Sequence, residues 1–337
     1  MITPPTTPNP RPHLLVTGGA GFIGGHVVKY LLDFGARVTV IDDLSTGRLE
    51  HLPESTRLRT VIGDMTDRHV WSDAWQGRQR ITRVLHLAGH VGVRRVLEDP
   101  RGCSDVQLAM AQTVIETLTA MEEGDRPGLI AASSSEVYRA SQEPLAESSP
   151  VWQTTDKGWN TGRWAYAASK LRAEQGFVGA GLSVLNLRLF NVVGPGQNGE
   201  SGMVLPRFVE AARLRDTLQV FGNGKQVRTF GHVACIAADL VQLCLRAEMP
   251  TGVLNLGGTA ATQIERLARL VLAEAGLDEA HLRSVDPAIE LGADFQEVIH
   301  RVPSLDRAKS LGLIRNPWSL EDIVRDAWTR HAVPSPG

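Results

Sequence analysis

Two short segments hold side chains able to move a proton and a hydride. Tyr166 and Lys170 of Tyr-Ala-Ala-Ser-Lys stand four residues apart, and Ser133-Ser-Ser-Glu-Val-Tyr138 gathers hydroxyls and a carboxylate upstream. On a helix, residues i and i+4 share a face, so the Lys170 ammonium is expected to stabilise a Tyr166 phenolate and pull its pKa toward neutrality. A phenol so placed can act as a base. With a serine hydroxyl beside it, it can take the proton of an alcohol while a hydride leaves the same carbon. Tyr-x-x-x-Lys alone fits equally a half-buried tyrosine and a surface lysine. The order of features along the chain carries more weight: a glycine-rich turn, an acidic residue, the serine cluster, then Tyr and Lys.

The elements that must position these groups alternate. His13 to Thr17 is a short apolar run ending in glycines, followed by Phe22, Ile23, Val27, Tyr30 and Leu31 at helical spacing, then by the apolar run Val38 to Ile41. That is a β-α-β unit. Further apolar runs at Leu58 to Ile62, Val84 to Leu87, Leu129 to Ala132 and Leu182 to Leu189 alternate with helical stretches, notably Val106 to Met121 and Trp164 to Phe177. The pattern predicts an α/β fold: a Rossmann-type doubly wound parallel sheet over residues 13–190, covered on both faces. After about Asn191 the chain turns Gly- and Pro-rich, with helices expected at Pro206 to Leu214, Ala237 to Ala247, Gln263 to Ala275 and Leu320 to Thr329. Residues 191–330 are read mainly as a smaller α/β substrate lobe, with elements from about 230–260 returning to the first domain.

Gly18, Gly21 and Gly24 of Thr17-Gly-Gly-Ala-Gly-Phe-Ile-Gly24 follow a strand and open a helix, where backbone N–H groups can face a pyrophosphate. Gly18 suits the tight turn, Gly21 the approach of phosphates, and Gly24 close packing of helix on strand. Asp42, ending the second strand, would accept hydrogen bonds from the adenosine ribose and repel a 2′-phosphate, which favours NAD over NADP. Asp64 fits either an adenine contact or a solvated turn.

The chain has 337 residues, 42% of them hydrophobic and 21% charged, enough for a large core in one big or two smaller domains. A net charge of −2 with scattered basic residues gives no electrostatic case for nucleic acid or an anionic membrane. Small molecules are the expected partners. Cys103, Cys235 and Cys244 form no metal or disulfide pattern, and reduced thiols in a cytoplasmic protein are expected. Residues 1–12, rich in Pro and Thr, read as a disordered tail. No apolar run is long enough to span a bilayer.

With these residues in place, the sequence from about His13 to Trp328 resembles the extended short-chain dehydrogenase/reductases, specifically the NAD-dependent nucleotide-sugar epimerases, dehydratases and decarboxylases. The motifs TGGAGFIG, IDDLSTG, HLAG, SSSEVY, YAASK, RLFNVVGPGQ, VLPRF, VFGNGKQVRTFGHV, NLGG and HRVPSLDRAKSLG carry the likeness. The resemblance implies NAD held by Gly18, Gly21, Phe22, Ile23, Gly24, Asp42, Asp43, Ser45, Thr46, Gly47, Asp64, Met65, Leu87, Ala88, Gly89, Ser133, Tyr166 and Lys170. It implies Ser134 on the sugar O4, Tyr166 taking the O4 proton, and Lys170 on the nicotinamide ribose. Asn191, Leu205, Arg207, Val220, Phe221 and Arg228 fall where the family grips the nucleotide of a UDP-linked sugar, and the Arg228 fork suits a diphosphate.

The reaction turns on what surrounds the sugar's C5 and C6. The 4,6-dehydratases resemble this chain except for an Asp-Glu pair where Ser135-Glu136 stands, and serine is a poor general acid. Ser-Glu here, and His300-Arg301-Val-Pro-Ser304, resemble the UDP-glucuronate decarboxylases, in which the Arg lies near the sugar carboxylate. That resemblance makes UDP-glucuronate decarboxylation, to UDP-xylose or a UDP-4-keto-pentose, the first expectation, with Ser134, Glu136, Tyr166, Lys170 and Arg301 as catalytic residues. Ser135, Glu136 and Arg301 are also expected to touch the sugar. A UDP-sugar 4-epimerase is the runner-up; 5,6-elimination on a neutral amino sugar and a non-catalytic dinucleotide-binding protein are further alternatives. Departures are Arg139 in place of a glycine, Gln107, Met110 and Ala111 where an Asn and a Gly-Thr pair are usual, Gly196 for Arg, and Cys235 for Asp. The family also implies a homodimer, formed by the helices Val106 to Met121 and Trp164 to Phe177 across a two-fold axis.

Overall fold

Seven parallel strands set the frame on which the chemistry is placed. The computed structural model describes residues 12–330, apart from 78, 90, 91, 157–161, 163, 198–201, 292–297 and 315–316, so residues 1–11 of the expected tail lie outside it. In chain order the first half comprises β1 (His13–Thr17), α1 (Phe22–Asp33), β2 (Arg37–Asp42), β3 (Leu58–Ile62), α2 (Arg68–Ala74), β4 (Ile81–His86), α3 (Val93–Glu98), α4 (Pro100–Thr119), β5 (Gly128–Ser134), α5 (Trp164–Gly179) and β6 (Val184–Leu189). The second half comprises β7 (Val192–Val193), α6 (Val204–Arg213), β8 (Leu218–Phe221), β9 (Val227–Arg228), β10 (Gly231–His232), α7 (Val233–Cys244), β11 (Gly252–Leu256), β12 (Thr262–Gln263), α8 (Ile264–Ala275), β13 (Leu282–Val285), α9 (Pro287–Leu291), β14 (His300–Arg301), α10 (Asp306–Ser310) and α11 (Leu320–Arg330).

The main sheet runs β3-β2-β1-β4-β5-β6-β11. Strand order reverses between β1 and β4, and ligands of doubly wound sheets bind at such a switch point, beyond the strands' carboxyl ends. The strands are apolar on both faces because both are covered. Leu14, Val16, Val28, Ile130, Leu185 and Leu254 pack with α1 and α7 on one side, while Leu15, Ile41, Val84, Leu129 and Phe177 pack with α2, α4 and α5 on the other. Strand β11 adds the seventh strand from residues far along the chain, and α7 packs against α1.

A separate core of Leu205, Phe208, Val209, Leu218, Leu267, Val271 and Ile323 builds the C-terminal lobe. Its small sheets are β13 with β8, and β12-β9-β14. In the latter Arg301 lies beside Arg228 in parallel register. Neighbours in parallel register point to the same side of a sheet, so this pairing brings two arginines 73 positions apart in sequence together.

Helices form close to where the apolar periodicity predicts them; α4 starts earlier than expected because Asp99 caps it, accepting from the Gly102 N–H, with Pro100 in the first turn. Among the described residues no helix is long and apolar enough to cross a membrane.

Candidate active site

The glycine turn behaves as the sequence requires. Gly18 has φ +70°, and a Cβ there would lie 2.7 Å from the Ala88 backbone nitrogen. A Cβ on Gly24 would lie 2.1 Å from the Gly18 carbonyl oxygen, so only glycine lets α1 start this close to β1. Helix α1 begins after Gly21 with no side chain capping its first N–H groups, which leaves them for an anion. At the end of β2, Asp42 is fixed by the N–H groups of Ala20 and Leu44, both 2.9 Å from its carboxylate oxygens. Asp43 takes the N–H and hydroxyl of Ser45 at 2.9 and 2.7 Å. Gly47 lies against Asp42, where a Cβ would come 2.7 Å from Oδ1. Asp64 accepts from the backbone and hydroxyl of Thr66, a local turn, and the Met65 carbonyl accepts from Trp71.

Farther along the switch point, the Leu87 N–H donates to the Thr17 carbonyl and Ala88 N–H to the Thr17 hydroxyl. Gly89 follows. A Cβ on it would meet Gln107 Oε1 at 2.9 Å and Lys170 Nζ at 3.2 Å. The Gln107 amide oxygen is buried and makes no hydrogen bond. An uncapped helix start, a ribose-type aspartate and this orphaned acceptor beside Lys170 are what a dinucleotide would occupy, with its pyrophosphate on Gly21 to Gly24 and its nicotinamide end near Gly89.

The catalytic candidates converge at the end of β5. Ser134 and the Tyr166 phenol are hydrogen-bonded to each other, and the Glu136 N–H donates to the Ser134 hydroxyl at 3.2 Å. A tight turn over Ser135–Val137 points Glu136 toward the second lobe. There Arg301 Nη1 donates to Glu136 Oε1 at 2.8 Å, with the Arg side chain 8% and the Glu side chain 19% exposed. Two residues singled out separately in the sequence thus form one ion pair beside Tyr166. Ser135 is buried, whereas Ser133 turns its hydroxyl into the protein to Glu174 at 2.5 Å.

The expected effect of Lys170 on Tyr166 is corrected by this geometry. Burial raises the phenol above its ordinary value, the Glu136 charge raises it further, and the Ser134 hydrogen bond pulls it down. Lys170 is 5.9 Å from the ring centroid and donates instead to the Ala132 carbonyl at 2.9 Å. Burial lowers Lys170 itself to about 8, with Glu174 acting in the opposite sense. One helical turn gave proximity, but the ammonium is anchored on the strand.

The nucleotide candidates divide. Arg207 donates to the Gln219 carbonyl at 2.8 Å and lies 4.4 Å over the Phe221 ring. Asn191 donates to the Thr229 carbonyl at 3.0 Å. Arg228 sits beside Arg301 on β9, its Nη1 on the Val227 carbonyl at 2.9 Å. Leu205 and Val220 have side chains inside the lobe's core. Arg139, the departure after Val-Tyr, pairs with Asp156 at 2.5 Å.

Sequence reasoning passed over a buried polar row. Ser133, Arg188 and Asn255 are register neighbours across β5, β6 and β11. The Tyr138 hydroxyl donates to Asn255 at 2.8 Å, under the Arg188 guanidinium. The signal was present: a single arginine inside the apolar strand Val184–Leu189.

The model of the NAD dependent epimerase/dehydratase family matches residues 14–257. The chain belongs to this family. A UDP-N-acetyl-alpha-D-glucosaminuronate decarboxylase of Bacillus cytotoxicus is 29% identical over 88% of this chain and 90% of its own. A UDP-glucose 4-epimerase of Azospirillum brasilense is also 29% identical, over 99% and 98%. The fold superposes on the UDP-glucose 4-epimerase of Bifidobacterium longum, solved with NAD+ and UDP, with a TM-score of 0.80 at 22% identity, over 95% of this chain and 98% of that one. As an NAD-dependent member of the family, the protein takes NAD as its cofactor, and the cradle described above suits it.

Proposed function

We propose that this family member is a UDP-hexuronate decarboxylase of the UDP-glucuronate class. The observation that carries the reading is the Glu136–Arg301 ion pair at the Ser134–Tyr166 hydrogen bond. NAD held by the Gly18–Gly24 turn and Asp42 would supply the hydride acceptor for C4 of the sugar and the hydride donor for a retained keto sugar. Tyr166 takes the O4 proton while Ser134 holds O4, and Lys170 carries the positive charge of the site. A ketone at C4 makes the C6 acid a β-keto acid. Its C5–C6 bond then breaks, the electron pair moves into the C5–C4–O4 enolate, CO2 leaves, and C5 takes a proton. No base at C5 is needed for that step. Arg301 offers five N–H donors in a plane, so it can orient a carboxylate while one donor stays on Glu136, and Glu136 places the sugar or the water that reprotonates C5.

A 4-epimerase is the second reading, because the paired arginine presents a neutral site that also suits an uncharged C6, and a 4-epimerase has the same identity to this chain as the decarboxylase. The diphosphate end is assigned to Arg228, Asn191 and Arg207, with UDP as the nucleotide. A homodimer through α4 and α5 is part of the proposal; their outer face has a shallow depression lined by Leu108, Ala109, Gln112, Ile115 and Gly176.

The test is incubation of the protein and NAD with UDP-glucuronate and, separately, UDP-glucose, following CO2 and product masses. Release of CO2 with a UDP-pentose or UDP-4-keto-pentose is expected. Conversion of both sugars to C4 epimers without CO2 would replace the first reading by the second.

A further inference from the structure

Three consecutive residues of β5 each hold one residue of α5. The Ala132 carbonyl accepts from Lys170 at 2.9 Å, the Ser133 hydroxyl donates to Glu174 Oε1 at 2.5 Å, and Ser134 is hydrogen-bonded to Tyr166. Tyr166, Lys170 and Glu174 recur every four residues and so form one stripe along the helix. The first two carry proton chemistry. Glu174 has been given no role.

Glu174 is 5% exposed and held from two strands. Arg188 of β6 donates through Nε to Oε1 at 3.0 Å and through Nη2 to Oε2 at 2.7 Å, and Arg188 is the register neighbour of Ser133. Apolar residues of similar volume often stabilise a core as well as a buried ion pair does, because both ions must be desolvated. The pair here is tied to the residue next to Ser134, and its anion lies one turn beyond Lys170. Both facts bear on the proton-transfer groups.

We propose that Glu174 is a positioning residue of the proton-transfer site: it locks the phase of α5 on β5, so that Tyr166 and Lys170 are held against Ser134, and it provides the negative charge that faces the Lys170 ammonium. The proposal rests on the assignment of Tyr166 and Lys170 to C4 oxidation. Among the described residues, the other groups around Lys170 offer it no anion at close range. His86 of β4 is kept neutral by burial and by Lys170, with its pKa at about 3, Gln107 of α4 is uncharged, Ala132 contributes a carbonyl, and Arg188 stands behind Glu174. Glu136 acts on Tyr166 and is paired with Arg301.

The experiment is a titration of Lys170 by NMR of its side-chain carbon or nitrogen, in the protein without substrate. Lys29, Lys157, Lys170, Lys225 and Lys309 are the chain's only lysines, so a Lys170→Met sample assigns the signal. In Glu174→Gln the midpoint, about 8 in the parent, is expected to fall by about one pH unit. With a nucleotide sugar, kcat is expected to drop roughly tenfold with KM nearly unchanged. Ser133→Ala, which removes one contact and no charge, is expected to lower kcat and leave the midpoint in place. Should Glu174→Gln leave Arg188 so uncompensated that the chain does not fold, Glu174→Gln/Arg188→Gln removes both charges and, because Glu174 is the one of the two that acts on Lys170 directly, must still show a downward shift, smaller than that of the single variant. An unmoved Lys170 midpoint in a folded variant lacking Glu174 overturns the proposal. Because the titration needs no turnover, a protein inert toward every nucleotide sugar would sink the functional reading while leaving this result intact.

Discussion

Glu136 and Arg301 should move the pH dependence of C4 oxidation in opposite directions. With Tyr166 as the proposed base, the rate rises as the phenol loses its proton, and the acid limb of the rate profile follows the phenol's pKa. Glu136 holds that pKa up. For a separation on the order of 6 Å and an effective dielectric of about 20, a full unit charge changes it by about 2.8 kcal/mol, or about two pH units. Arg301 at 2.8 Å from Glu136 cancels part of that charge, and the Glu136 side chain is 19% exposed. An effect of about one unit therefore remains for the loss of either partner. Glu136→Gln leaves the guanidinium as the nearby charge, which favours phenolate, and the limb shifts about one unit toward acid. Arg301→Met leaves the carboxylate, which disfavours phenolate, and the limb shifts about one unit toward alkali. The double variant returns to within about half a unit of the parent. The assay is single-turnover NAD reduction at 340 nm with a neutral UDP-hexose, in which no C6 carboxylate intervenes. Absorbance of tyrosinate near 295 nm, with Tyr166→Phe as the reference, gives a second reading among the chain's three tyrosines. Shifts of the same sign in the two single variants would refute the placement of this pair beside the base.

Three further outcomes are expected. Gly24→Ala forces backbone against backbone, with Cβ 2.1 Å from the Gly18 oxygen, whereas Gly21→Ala meets that oxygen only at 3.2 Å; Gly24→Ala should lose about 3 kcal/mol of stability and Gly21→Ala less than about 1 kcal/mol, while thermal unfolding with and without NAD should show that both lose the stabilisation by cofactor. His86 is buried against the Thr17 hydroxyl at 2.7 Å, and burial depresses its pKa from 6.5 to about 3. The unfolded chain therefore binds the proton first, and stability present above pH 6.5 is lost as pH falls toward 3, by up to about 3 kcal/mol between pH 6.5 and 4.5; His86→Gln should flatten denaturant-measured stability across that window. On the proposed dimer, the parent should sediment as a dimer and Ala109→Arg, on the exposed face of α4, as a folded monomer.

Sequence periodicity reached far into the first half of the chain because its strands are local and apolar on both faces. Leu14 to Val16 and Leu129 to Ala131 are buried whichever way the side chains point, so a continuous hydrophobic run is the signature left behind. The glycine turn was legible for a similar reason: the close approaches at Gly18 and Gly24 can be met by no other residue type. The second lobe was harder. Its sheets use two- to four-residue strands such as Val227–Arg228 and His300–Arg301, too short for any period, and their pairing joins segments 73 positions apart. The Tyr166 environment was misjudged in sign because helical spacing reports which side chains are near, whereas the Ala132 carbonyl that takes the Lys170 ammonium belongs to another element. Glu174 and Arg188 left only a weak trace, a charge within apolar sequence.

Selection among the family's reactions has to come from the lobe rather than from the catalytic helix. In the proposed reading every hexose-linked substrate presents a C4 alcohol to Ser134 and Tyr166, so these residues would oxidise it without distinguishing what is attached at C5. Arg301 is the group proposed to distinguish, and it is brought to the site by β14 pairing with β9 rather than by the main sheet. That pairing gives the arginine a fixed neighbour in Arg228. When Arg228 engages a diphosphate, the distance from the nucleotide to the C6 end of the sugar is measured along one short sheet, on one side of it. A carboxylate at C6 then meets Arg301 in a fixed position, with Glu136 already balancing the guanidinium. Introducing a uronate adds one negative charge to a neutral pair in a largely buried site, and leaving as CO2 removes that charge again. Decarboxylation is thus the reaction in which the charge of this site is restored by the chemistry itself, whereas a 4-epimerisation of the same uronate would keep the extra charge buried from start to finish.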